Sequence, residues 1–132
     1  MDESTVKFVI FGLTVSSAWA NGHATPWRSL LKALHHQGHA TTFFERDVDY
    51  YARHRDLPAP DFCDLVLYAD WRDLEPRARK ELEQTDVAIV TSYCPDGLAA
   101  CRLVLDTPGP LHVFYDMTRR SRCAISPSMA SP

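Results

Sequence analysis

Apolar residues fall along this chain in two rhythms. Short, nearly unbroken apolar runs occur at Val6–Gly12, Ala40–Glu45, Leu65–Ala69, Val87–Ser92 and Leu111–Tyr115. Runs of that length, apolar on successive positions, suit parallel strands buried on both faces. Between several of them the spacing changes to every third or fourth residue. Pro26–His36 places Trp27, Leu30, Leu31 and Leu34 on one stripe, with Pro26 in the first turn and Gly38 just past the end. Trp71–Gln84 is charged with a narrow apolar stripe, which predicts a surface helix with Pro76 in its first turn or kinking it. Asp96–Leu105 predicts a third helix, ended by Thr107-Pro108-Gly109-Pro110.

Strands alternating with helices predict an α/β fold: a Rossmann-like three-layer sandwich around a five-stranded parallel sheet in the order 3-2-1-4-5. The strand order then reverses between the first and fourth strands. Ligands of such sheets bind outside the carboxyl ends of the strands at that switch point. One connection stands out. Asp47 to Phe62 holds Tyr50, Tyr51, His54, Pro58 and Pro60 and is longer than a compact domain needs; long connections are often functional.

The chain has 132 residues, 45% hydrophobic and 23% charged, enough for one domain with a real core and too apolar for general disorder. The net charge of −3 gives no argument for a nucleic-acid partner. Charge is uneven, however. All 17 acidic residues lie at or before Asp116, whereas the tail holds Arg119, Arg120 and Arg122 and no acid. That tail is rich in Ser, Pro and Arg without periodicity, so residues 1–117 are read as the folded domain and 118–132 as a disordered tail.

The four cysteines form no C-x-x-C pair, which argues against a zinc site. Cys63 and Cys101 fall on apolar faces and read as buried free thiols, as in a reducing compartment. Lys7 followed by FVIFGLTVSSAWA, with Ala18 and Ala20, has the look of a signal peptide. Asp2 and Glu3 oppose that, and the run fits directly into a strand–loop–helix unit. The expectation is a cytoplasmic protein with no membrane span.

Candidate chemistry gathers at the carboxyl ends of the predicted strands. His23, after the first strand, is placed to take a proton from a hydroxyl or simply to pack its loop. Asn21 and Gly22 offer close backbone approach to a ligand at a helix start, or a plain turn. Glu45, Arg46 and Asp47 end the second strand: the carboxylates there either meet sugar or ribose hydroxyls or form a surface cluster with the arginine. Ser92, Tyr93, Asp96 and Gly97 lie at the end of the fourth strand, where Asp96 either caps its helix or contacts a ligand. Asp116 ends the fifth strand and could orient His23 or an acceptor, or be a solvated strand end. Tyr50 and Tyr51 read as packing over the sheet edge or stacking on a sugar face. Trp19 and Trp27 read as core or lip aromatics with the same option. His35 and His36 end a helix, where its dipole favours a cation, and carry no site role.

The stretches FGLTVSSAWANGHATPWRSLLKAL, GHATTFFERDVDYYARHRDLP, VTSYCPDG and VFYDM together resemble the amino-terminal half of CgeB-like glycosyltransferases, over Val6 to Met117. The resemblance implies a two-domain GT-B enzyme made of two facing Rossmann-like domains. Its amino-terminal domain handles a small-molecule acceptor, and its carboxy-terminal domain binds a nucleotide-sugar donor. This chain then corresponds to the acceptor side, with His23 and Asp116 as the catalytic candidates. No cofactor of its own is expected, the donor domain is the missing partner, and the chain alone is expected to be inactive. After Met117 the sequence departs from the family pattern. One choice of codons for TRRSRCAISPSMAS, shifted by a single base, reads DTPVTLRDLAVDGV, a continuation of the family kind, so the tail is expected to be a frameshift product. The alternative is a stand-alone Rossmann-like module that binds a small ligand or partner chain. A receiver module would want an acidic cluster where Gly12-Leu13-Thr14 stands. A dinucleotide oxidoreductase would want G-x-G-x-x-G, where only Gly12 and Gly22 occur.

Overall fold

The computed structural model of the chain describes residues 5–17, 24–47, 53, 55–57, 60–92 and 94–115. In chain order they form β1 (Lys7–Gly12), α1 (Ala24–His36), β2 (Ala40–Arg46), β3 (Asp64–Tyr68), α2 (Trp71–Glu83), β4 (Val87–Thr91), α3 (Gly97–Leu105) and β5 (Leu111–Tyr115). The five strands make one parallel sheet in the order β3-β2-β1-β4-β5, as the alternating pattern predicts. Expected tail residues 118–132, and Tyr50, Tyr51 and Trp19, lie outside the described residues.

The two-residue period of a strand sends neighbouring side chains to opposite faces. On β1, Val9 and Phe11 enter one core with Phe44, Tyr68, Val90 and the buried sides of α2 and α3. Ile10 enters the other with Phe43, Phe62 and the α1 residues Trp27 and Leu31. The charged helix α2 buries only Leu74, Ala78 and Leu82, spaced by four, which explains its narrow stripe. Trp27 is a core residue, edge-on to Phe43 and to Tyr115.

Helix ends follow local chemistry. Gly38 takes a left-handed φ of 89°, and the His39 N–H reaches back to the Leu34 carbonyl at 3.0 Å, closing α1 where the glycine predicts. Asp70 caps α2 by accepting from the Arg72 N–H at 3.0 Å. Of the two expectations for Pro76, the first-turn placement is not met: it is the sixth residue of α2, inside a helix that continues to Glu83. The thiols also differ from expectation. Cys63 and Cys101 are half-buried, and Cys94 is the buried one.

Gly12 ends β1 beneath the Phe43 ring. A Cβ there would lie 2.6 Å from the ring Cζ, and Phe43 is fully buried, so the ring has nowhere to retreat. Gly12→Ala is expected to destabilise the fold by about 1–3 kcal/mol through overpacking. A thermal melt that moves by less than the experimental scatter would show that the ring yields.

Candidate functional site

The carboxyl edge of the sheet is built around one buried carboxylate. Glu45 points to the α1 face and is fully buried. Its Oε2 accepts from the hydroxyls of Thr14 (2.9 Å) and Ser16 (2.6 Å), and its Oε1 from the backbone N–H groups of Val15 (2.9 Å) and Ser16 (3.1 Å). The hydroxyl-rich run after β1 thus wraps a carboxylate supplied by β2. Arg55 closes the arrangement. Its Nε donates to the Ser16 hydroxyl at 2.8 Å, while its Nη2 lies 3.7 Å from Glu45 and 3.1 Å from Asp47. The Ser16 carbonyl accepts from the N–H groups of Asp56 and Leu57, and Arg28 links the Val15 carbonyl to Asp56. Glu45 is therefore neither a surface cluster nor a solvent-facing ligand contact: its oxygens hold the loop. Asp47, one residue past the strand, is exposed beside Arg55.

A second cluster lies on the opposite face of the same edge. Asp96, at the start of α3, accepts from Arg46 Nη1 at 3.1 and 3.2 Å and from the Tyr68 hydroxyl at 2.9 Å. Asp96 occupies the cap position of α3 by sequence, but its side chain makes no capping bond. Two charge-assisted or phenolic donors outcompete one backbone N–H. The carboxyl ends of β2, β3 and β4 are thereby tied together across the central strand. Trp71 packs edge-on to Tyr68 behind the cluster. Burial first, then the neighbouring Cys94 and Asp96, raises the Tyr68 phenol well above its ordinary value, so it stays protonated and donates to Asp96.

Beside this cluster, a groove of about 390 Å³ opens between the ends of β4 and β5 and the start of α3. Ser92, Cys94, Gly97, Leu98 and Phe114 are among its walls. Its size falls in the range of small-molecule pockets. Burial pushes the Cys94 thiol up to about 12, against an ordinary 9.0, so this thiol is no nucleophile at neutral pH. Cys63 is likewise pushed up to about 12, by burial and then by the charges of Asp64 and Glu45.

The Cys94 shift has a signed consequence. The folded state holds the proton more tightly than the unfolded chain, so the stabilisation is complete below pH 9. It is then lost as pH rises from about 9 through about 12. In reducing buffer, urea midpoints are expected to fall less steeply over that alkaline window in Cys94→Ala than in the unmodified chain. Parallel falls would remove Cys94 from the account.

Of the residues singled out by sequence, the structure brings Glu45, Asp47, Ser92, Asp96 and Gly97 to this edge. His23, Asn21, Gly22, Tyr93 and Asp116 lie outside the described residues. Sequence reasoning missed Tyr68 and Arg55. Tyr68 reads as one more apolar strand residue, and Arg55 is one of several charges in a long connection. Among the described residues, no group of three His, Cys, Asp or Glu side chains is placed to hold a metal ion. No described helix is long and apolar enough to cross a membrane.

The sheet order and its polar carboxyl edge define a Rossmann-like α/β domain. Comparison with protein-family models, with curated proteins and with solved structures gives no match to this chain.

Proposed function

We propose that this chain is the acceptor-side half of a GT-B glycosyltransferase of the CgeB-like kind, which transfers a sugar from a nucleotide-sugar to a small hydroxylated acceptor. The observation that carries the reading is the Arg46–Asp96–Tyr68 cluster beside the groove at the β4 end. Charged hydrogen-bonding groups fixed next to an apolar wall suit a molecule with hydroxyls on its rim and C–H groups on its faces. The resemblance over Val6 to Met117 supplies the reaction class, since fold alone cannot. In this reading the acceptor hydroxyl enters at the groove, and His23 or Asp116 takes its proton as the oxygen attacks the anomeric carbon. The nucleotide diphosphate leaves toward a second domain that holds the donor. Much of the rate comes from orienting the two substrates, so this half alone is expected to bind acceptor without turning it over.

The test is an amide NMR titration of the whole chain with a panel of glycosides, polyols and nucleotide-sugars at millimolar concentration. Saturable shifts at Arg46, Ser92, Gly97 and Leu98 are expected with hydroxylated acceptors, and Asp96→Ala should abolish them. A panel with no saturable shift at this edge would sink the acceptor reading. DNA read across the codons for Asp116, Met117 and Thr118 separates the two versions of the site. A shifted frame that continues for roughly another domain length supports the enzyme half. A clean stop in every frame transfers the same groove to a stand-alone binding module.

A further inference from the structure

The amino end of the sheet, opposite the edge described above, holds a cavity of its own. It measures about 520 Å³ and lies between the last turn of α1, the start of β2 and the residues that lead into β3. His35, His39, Thr41, Asp61, Cys63 and Asp64 are among its walls. Its volume is that of a small-molecule pocket. Thr41 is the informative residue. It is 4% exposed, and its hydroxyl has no hydrogen-bond partner among the described residues. A buried hydroxyl without a partner costs stability, and native folds rarely leave one. The alternation along β2 puts Thr41 on the same face as Phe43 and Glu45, the face that α1 covers. Phe62 and Cys63 pack on that face too. The Thr41 side chain is therefore aimed into the cavity.

The surroundings of that hydroxyl are acidic. Asp61 and Asp64 stand exposed at the rim. The last turn of α1 presents the negative end of its dipole. The nearby basic groups are few. Lys32 Nζ lies over the Phe62 ring, 5.6 Å from its centroid. His39 turns Nδ1 to accept from the Val6 N–H at 2.9 Å, which leaves its ring proton on Nε2. His35, exposed at the helix end, is the other basic side chain among the described walls. We propose that this cavity binds the ammonium group of a small primary amine, with Thr41 Oγ1 accepting one N–H and Asp61 and Asp64 supplying the countercharge.

A cation is favoured over the other ligands that could use the hydroxyl. An anion would face both carboxylates and the carbonyl end of α1. A neutral alcohol would satisfy Thr41 and gain nothing from the charges at the rim. A primary amine is favoured over a quaternary one because Thr41 lies deep, and only a head with N–H groups can donate to it. The cavity is at the other end of the sheet from the groove beside Asp96, so the inference does not depend on the glycosyltransferase reading.

An amide NMR titration of the full chain with butylammonium chloride tests it, with butanol and butyrate as the matched neutral and anionic controls. Saturable shifts at His39, Thr41, Cys63 and Asp64 are expected with butylammonium alone, with a Kd on the order of 1 mM. Because the carboxylates are exposed, added salt should weaken the binding. Thr41→Val keeps the branched shape and removes the hydroxyl, so it should raise the Kd by at least about tenfold. Its melting temperature should equal or exceed that of the parent, since it deletes an unpaired buried group. Asp61→Asn combined with Asp64→Asn, both at exposed positions, keeps the hydroxyl and should also raise the Kd about tenfold. No saturable shift with butylammonium, equal binding of either control, or unchanged affinity in Thr41→Val would each overturn the proposal. So would a Thr41→Val chain that melts well below the parent, because the hydroxyl would then be satisfied within the fold.

Discussion

Glu45→Ala is expected to cost about 3–5 kcal/mol, a large share of the roughly 5–15 kcal/mol that holds a domain of this size together. The carboxylate is the common acceptor for two hydroxyls and two backbone N–H groups, and Arg55 stands beside it. Removing it leaves those donors facing a cavity rather than water. Glu45→Gln separates shape from acceptor count. The amide keeps the volume but offers one accepting oxygen in place of two, and its NH2 must confront either the hydroxyls or the N–H pair. The hydroxyls can rotate only at a loss, because Thr14 already accepts from the Ser17 N–H and Ser16 from Arg55. A penalty of about 1–3 kcal/mol is expected for the amide. Urea unfolding monitored by tryptophan fluorescence measures both. An alanine variant within about 1 kcal/mol of the parent would mean that water substitutes freely for the carboxylate.

Phe11→Ala is expected to cost a similar amount, about 3–5 kcal/mol, by a different route. Phe11 is fully buried on the central strand, stacked on Phe44 at 5.1 Å between centroids and tilted against Trp71 at 5.7 Å. Its neighbours belong to β2 and to the start of α2, both anchored by their own hydrogen bonds, so the cavity cannot close by a simple shift. The loss should appear in thermal and urea unfolding alike. Phe11→Leu should recover most of it, and failure of the leucine to do so would point to the stacking itself rather than to volume.

The fold was legible because the sequence keeps its two rhythms apart. VKFVIFG, VAIVT and LHVFY cannot be read as amphipathic helices, and Gly38 closes α1 where its conformational freedom is needed. The site was legible only to the level of the edge. A carboxylate after Phe43 and Phe44 looks like a strand end reaching water. What inverts that reading is the Thr14–Ser17 loop folding back over it, a contact about thirty residues away in sequence. The hydroxyl-rich run was the available clue. Asp96 shows the same limit. Pro95-Asp96-Gly97 marks the helix start correctly, yet the capping bond is lost to Arg46 and Tyr68, partners that local pattern cannot reveal. Pro76 falls beyond the first turn because α2 already begins at Trp71, capped by Asp70.

The sheet order also sets a timetable for synthesis. β1 leaves the ribosome first but lies at the centre of the sheet, and its second neighbour arrives late: the Lys7 N–H is held by the Asp86 carboxylate, 79 positions further along. At about 5–20 residues per second, that interval lasts about 4–16 s. For that time the nascent chain can assemble only the β1–β2–β3 side, with Val9 and Phe11 lacking the cover of α3. A chaperone that recognises short apolar strands would find its window there, and it closes when β4 emerges.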